Sequence, residues 1–279
     1  MADISAEAVR ALRDRTNLPM MECKKALVEA QGDQDKAVAI LKERVKGLQE
    51  KVADRVAGEG RVATLTAADG KSAVMVEMLC ETAPVAKSED FLKLTDQVTK
   101  QLLNGPGAAS AEELLAQPCP DVPGQTLREL NEEVLNRIRE KIVVGRILKV
   151  TGPVAGYTHH DGTLGVLIQA SGDNATAQVL RDVAMHIAAL NPTVCLPEQL
   201  DPAKVTAEKA KLTEEAAKSG KPANIIEKMV EGKMRMFYNN EGVLVAQPFA
   251  KDDTKTVAQA LATAGLTATG FIRWRLGKP

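Results

Sequence analysis

Apolar positions along the chain switch between helical and strand periods, and the switches mark its parts. Ala8, Val9 and Leu12 share one helical face behind Ser5, a residue suited to capping, which predicts a helix ending near Arg15-Thr16-Asn17. Pro19 fits the first turn of a second helix, running to about Ala30 and stopping at Gly32. Asp33 then caps a third helix with Ala37, Ile40 and Leu41 inward. Glu43 to Glu59 is charged, with Leu48, Val52 and Val56 spaced four apart, and predicts a linker helix laying one thin apolar stripe on a neighbour. Gly58-Glu59-Gly60 breaks it.

Strand patterning follows, and it occurs twice. Gly60-Arg61-Val62-Ala63 corresponds to Gly152-Pro153-Val154-Ala155, Asp69-Gly70 to Asp161-Gly162, and Val74 and Val76 to Val166 and Ile168, all 92 residues apart. Asp-Gly predicts a two-residue hairpin turn with both central residues at positive φ. Past the strand, Phe91, Leu94 and Val98 match Leu180, Val183 and Ile187 at an offset of 89, so the second copy has lost three loop residues. Each copy reads as a hairpin followed by a helix, an α+β unit that buries one sheet face.

Between the copies, Gly105 to Gly124 is rich in Gly, Pro and Ala, with a short helix near Ala111 to Ala116. Thr126 and Glu129 form a capping box for a helix carrying Leu127, Leu130, Val134 and Ile138, and strand-like Ile142 to Ile147 leads into the second copy. Beyond Pro202, two amphipathic segments flank Ser219-Gly220-Lys221-Pro222, one with Val205 and Leu212, the other with Ile225, Ile226, Met229 and Met236. They predict an antiparallel helical hairpin. A strand at Gly242 to Ala246, a helix from about Thr254 to Ala264 and a strand at Thr267 to Trp274 complete the pattern. The expected fold class is α+β. Its expected divisions are a three-helix domain (1–46), a linker helix (47–59), a first core part (60–150), a second core part (151–200 and 239–279) and the helical hairpin (201–238).

Composition narrows the function classes. The 279 residues hold 36 basic and 37 acidic side chains, a net charge of −1. Phosphate neutralisation supplies most nucleic-acid affinity, so no direct nucleic-acid partner is expected. Only 3% of residues are aromatic, so Leu, Val, Ile, Ala and Met must build the cores. Cys23, Cys80, Cys119 and Cys195 are far apart without a Cys-x-x-Cys, which suits buried reduced thiols in a cytoplasmic protein. Met1-Ala2-Asp3-Ile4-Ser5 lacks the basic and apolar regions of a secretion signal, and no apolar run reaches membrane-spanning length.

Candidate chemistry is sparse. No phosphate-binding glycine loop, zinc-protease helix motif or nucleophile elbow occurs, and no cofactor is expected. His159-His160-Asp161 is the one cluster with metal-binding residue types. Adjacent strand residues point to opposite faces and Asp161-Gly162 serves as a turn, so no metal is expected there. His186 sits in the second copy's helix, and Met20-Met21, at a helix start, suits either core or an adaptable contact surface.

These strings resemble a known family. Leu12-Arg13-Asp14-Arg15-Thr16, Met20 to Leu27, Gly32-Asp33 and Lys36-Ala37 are similar to the N-terminal signature of the bacterial elongation factor Ts family. The resemblance continues through Met185 to Ala189 and Pro192, Ser219 to Pro222, Ile226 to Gly232, Gln247-Pro248-Phe249, Lys255-Thr256-Val257 and Gly270 to Arg273. It implies a nucleotide exchange factor for the GTPase elongation factor Tu, not an enzyme in the bond-making sense. It also implies an N-terminal ubiquitin-associated-like (UBA-like) domain, a two-part α+β core and a protruding helical hairpin. Arg13, Met20 and Met21 match contacts to the GTPase domain, His186 matches a supporting residue, and the hairpin around Leu164-Gly165-Val166 would meet another domain of Tu. The partner would be bound first with GDP and then nucleotide-free.

The family's loop after the first central strand reads Thr-Asp-Phe-Val, and its Phe helps dislodge the partner's Mg²⁺. Here the loop reads Thr82-Ala83-Pro84-Val85, so the Asp and Phe are gone. The ending, Gly277-Lys278-Pro279, also lacks a C-terminal helix that some members carry. Three readings follow: a working exchange factor, a Tu-binding chaperone or sequestering partner with reduced exchange, and a metal-dependent enzyme using the His159 cluster.

Overall fold

The computed structural model describes residues 4–16 and 18–277. The expectations that touch residues 1–3, Asn17, Lys278 and Pro279 lie outside the described residues. Two compact units form: one from residues up to Ala63 together with Val76–Ile147, the other from Thr64–Met75 together with residues from Leu148 onward.

Three helices open the first unit: α1 (Ala6–Thr16), α2 (Met20–Glu29) and α3 (Gln34–Val52). Ser5 Oγ accepts from Ala8 N, and Asp33 accepts from the backbone N–H groups of Asp35 and Lys36, so both predicted N-termini are capped. Gly32, at φ 90°, ends α2 with its N–H on Leu27 O. Val9, Leu12, Cys23, Ala26, Leu27, Ala37 and Leu41 form a small core. The predicted linker helix is not separate. α3 runs on to Val52, which is buried, while Val56 lies beyond its end and is 84% exposed. The four-residue apolar spacing therefore outlasts the helix by one position.

Next come β1 (Glu59–Thr66), β2 (Ser72–Cys80), α4 (Ala83–Ala86), α5 (Glu89–Asn104), α6 (Ala111–Leu115), α7 (Leu127–Ile138) and β3 (Ile142–Thr151). The sheet order is β1-β2-β3, and the Thr126–Glu129 capping box opens α7 as expected. On β2 the buried Glu77 takes a two-pronged bond from Arg146, at 3.0 Å to Nε and 2.7 Å to Nη2. A buried carboxylate persists when paired in this way.

The second unit holds β4 (Val154–Thr158), β5 (Leu164–Ser171), α8 (Gln178–Leu190), α9 (Pro202–Ala217), α10 (Ala223–Asn240), β6 (Pro248–Phe249), β7 (Asp252–Thr256), α11 (Val257–Ala262) and β8 (Thr267–Arg275). β5 is central, antiparallel to β4 and β8, with Val166 opposite Tyr157 and Arg273. α9 and α10 lie antiparallel and bury Leu212, Ala216, Val230 and Met234 between them, with Lys204 paired to Glu241 and Lys233 to Glu215. Of the apolar positions that mark the second of these helices, Ile225 and Met236 are exposed. The predicted strand at 242–246 is a 3₁₀ turn, Leu244–Ala246, preceded by a single bridge from Val243 to Val194.

The two predicted hairpin turns share one geometry, though not the two-residue form expected. Gly70 N donates to Ala67 O and Gly162 N to His159 O, each Gly lying at φ 67° or 76°. Lys71 N donates to Asp69 Oδ1 and Thr163 N to Asp161 Oδ1. Asp takes negative φ in both, and only the Gly enters the left-handed region. Helices α5 and α8 also begin 89 residues apart, and their matched Phe91, Leu94, Val98, Leu180, Val183 and Ile187 are all fully buried.

Candidate partner interface

In the first unit, Thr82 keeps an extended backbone ahead of α4, with Pro84 in that helix's first turn. Its side chain does not cap α4. Instead Thr82 Oγ1 donates to the carboxylate of Glu140, 3.0 and 3.1 Å from its two oxygens. Thr82, Ala83 and Pro84 face solvent, while Val85 and Ala86 turn inward. The resemblance places Val85 with Thr82, Ala83 and Pro84 in the loop that would act on the partner's Mg²⁺, but its side chain is buried and anchors the turn. Ser88 fastens the far end by donating to Val85 O at 2.8 Å and accepting from Phe91 N. Cys80, at the strand's end, donates to Thr82 O, and burial pushes its thiol up to about 11. All four cysteines are buried and free.

Sequence reading missed the residues that hold this turn. Glu81 Oε1 accepts from Lys141 N at 2.6 Å and from Arg55 Nη1 at 3.3 Å. Lys141 Nζ donates to the carbonyls of Ala53 and Arg55. The only signal available was a charged run after Ile138, which reads equally well as a solvated helix end.

Arg13 is exposed on α1, and Met20 and Met21 begin α2 with 39% and 62% of their surface open. Cys23, Ala26 and Leu27 take the inner face instead. The choice left open for the methionine pair is thereby resolved, since neither is core.

Two other candidates are corrected in the second unit. Leu164, Gly165 and Val166 are buried on β5, whose two edges are already paired with β4 and β8. Neither their side chains nor their backbone is open to a partner, and at that end His160 and Asp161 face solvent. His186 is 1% exposed and cannot be a direct contact. Its Nδ1 accepts from Ala250 N at 3.2 Å, which leaves Nε2 to donate to Gln247 Oε1 at 2.9 Å. Burial lowers its pKa below 6.5, so the ring is a neutral tie between α8 and the 247–250 segment.

His159 and His160 lie in the turn after β4 and not on opposite strand faces, with ring centroids 4.3 Å apart. His159 Nδ1 meets Tyr157 Oη at 3.1 Å, and Asp161 is committed to Thr163. Among the described residues, no group of three or more His, Cys, Asp or Glu could hold a metal ion. Among them, too, no helix is long and apolar enough to cross a membrane.

Residues 81–278 match the family described as "Elongation factor TS". The chain belongs to the elongation factor Ts family. The Elongation factor Ts of Hyphomonas neptunium is 42% identical, over 100% of this chain and 93% of that relative. Those of Alkalilimnicola ehrlichii and Kineococcus radiotolerans are each 41% identical over 99% of this chain, covering 92% and 100% of the relatives. Members of the elongation factor Ts family are translation elongation factors, so the chain's function lies in protein biosynthesis. That kinship gives the exposed residues of the first unit their interest, because the N-terminal signature and the Thr82 turn both fall there.

Proposed function

We propose that the chain binds elongation factor Tu in its GDP form and speeds GDP release, leaving a nucleotide-free complex that GTP resolves. Full-length kinship with elongation factor Ts carries this reading. In it the chain is an exchange factor and not a bond-making enzyme, acts in the cytoplasm, and needs no nucleic acid, membrane or cofactor. Linkage is reciprocal: whatever factor the chain takes from GDP affinity, GDP takes from the affinity of the pair.

The N-terminal helices serve as a UBA-like domain, with Arg13, Met20 and Met21 meeting the GTPase. Thr82, Ala83 and Pro84 approach the region that holds the partner's Mg²⁺. A duplicated hairpin-plus-helix core and a protruding α9–α10 hairpin belong to the same reading. Solvent exposure of all six of these contact residues supports it. Stopped-flow release of a fluorescent GDP from the cognate Tu tests it, and no acceleration at saturating factor overturns it.

A second reading rests on one observation. Ala83 and Pro84 are small where the family carries Asp and Phe, so nothing in this turn fills an aromatic-sized pocket. A Tu-binding chaperone or sequestering partner would bind tightly and leave GDP release unchanged, and the same assay separates the two.

A further inference from the structure

Arg139, Glu140 and Lys141 together tie α2, the Glu81–Thr82 turn and the end of α3 in the first unit. Arg139 ends α7 in the left-handed conformation, φ 62°, and its Nη2 reaches Glu22 Oε1 on α2 at 3.3 Å. Glu22, one residue past Met21, also faces Arg44 and Lys25. Glu140 holds Thr82 through both carboxylate oxygens. Lys141 fixes Glu81 through its backbone N–H and the end of α3 through its ammonium. Arg55 closes the figure by donating to Glu81 Oε1 and to Arg139 O.

Isolated surface ion pairs contribute little, from nothing to about 1 kcal/mol. This arrangement differs in that three successive residues converge on the two exposed surfaces, and several of its bonds end on backbone atoms. Arg139 also ends α7, so Glu140 and Lys141 lie beyond the helix.

We propose that Arg139-Glu140-Lys141 is a positioning bracket. Through Glu140 it fixes the Thr82–Pro84 turn, and through Arg139 it fixes the Met20–Met21 surface, so that both meet the partner together. These residues act through others and need not touch the nucleotide. The partner's identity rests on the exchange-factor reading; the bracket's hold on the turn does not.

Two measurements on the full chain test it. The first is amide hydrogen exchange of the free protein at Ala86, Lys87 and Ser88, whose N–H groups close α4 on Thr82, Pro84 and Val85. Glu140→Ala is expected to speed exchange there about tenfold, the scale of losing a hydrogen bond to a charged acceptor. Glu140→Gln keeps an acceptor and is expected to stay near wild type. No change in Glu140→Ala, or an equal change in both variants, overturns the proposal. The second is GDP release from Tu against factor concentration. Glu140→Ala is expected to lower the maximal rate, and Arg139→Ala to raise the half-saturating concentration roughly threefold. The opposite assignment, or one shared effect, overturns the division of roles. Wild-type protein that leaves GDP release unchanged while the amides still respond would remove the exchange-factor reading and leave the bracket standing.

Discussion

His186 Nε2 lies 2.9 Å from Gln247 Oε1, and the same ring accepts from the Ala250 N–H, so both nitrogens are spent inside the second unit. Burial lowers the folded pKa, whereas the unfolded chain titrates near 6.5. The unfolded state therefore takes up the proton first as pH falls. Stability from this group is fully present above about 6.5 and declines in more acidic solution, towards the lowered folded value. Urea midpoints at pH 7.5 and at about pH 5.5 read this loss directly. His186→Gln should flatten that part of the profile and cost about 2 kcal/mol at neutral pH by stranding the Ala250 N–H.

Glu77 and Arg146 make a polar tie in the first unit. Glu77 is 6% exposed on the middle strand and receives both prongs of the guanidinium. Glu77→Ala should cost about 1–3 kcal/mol, because it removes both charge-assisted bonds from a guanidinium that is only partly buried. The double variant Glu77→Leu with Arg146→Leu should recover much of that loss. Chemical denaturation of the three proteins, with unchanged m-values, measures it.

Gly70 and Gly265 share nearly one positive φ, 67° and 71°, but not one environment. A Cβ on Gly70 would come 2.3 Å from the Ala175 carbonyl oxygen, whereas one on Gly265 meets nothing within 4 Å. Gly265→Ala should therefore cost only the left-handed penalty, about 1 kcal/mol. Gly70→Ala should cost clearly more, since backbone must move. Equal midpoints for the two variants would show that the hairpin tip yields freely.

The duplicated pattern was legible because its signals are local. Turn glycines and the period of buried positions survive at offsets of 92 and 89 whatever surrounds them. What escaped depends on distant partners. β6 is only two residues long, Pro248-Phe249, and β7 is wholly polar, Asp252-Asp253-Thr254-Lys255-Thr256 burying nothing fully, so no apolar alternation marks them. Val243, Leu244 and Val245 resemble a strand because they form a short apolar, β-favouring run, yet the chain there turns and leaves only a single bridge. Leu164 to Val166 looked available as a hairpin end until β8, far along the sequence, covered the second edge of β5. Met20 and Met21 could be assigned to solvent only once Cys23, Ala26 and Leu27 had taken the inner face of α2.

Ala83 and Pro84 provide the sharpest functional test, because both side chains point to solvent and neither supports the core. Replacing them by Asp and Phe should leave the fold intact, since Val85 and Ala86 supply the anchor and Thr82 keeps its bond to Glu140. Asp at the first position of α4 also sits where backbone N–H groups point outward, a favourable place for a negative charge. With a family-like pocket on the cognate Tu, the double variant should release GDP faster than wild type at saturating factor, by about tenfold or more. A Tu whose pocket has closed around the smaller turn should give the reverse: weaker binding and no gain in rate. Stopped-flow traces of both proteins against one Tu preparation distinguish these outcomes, and thermal melting confirms that the comparison is between folded proteins.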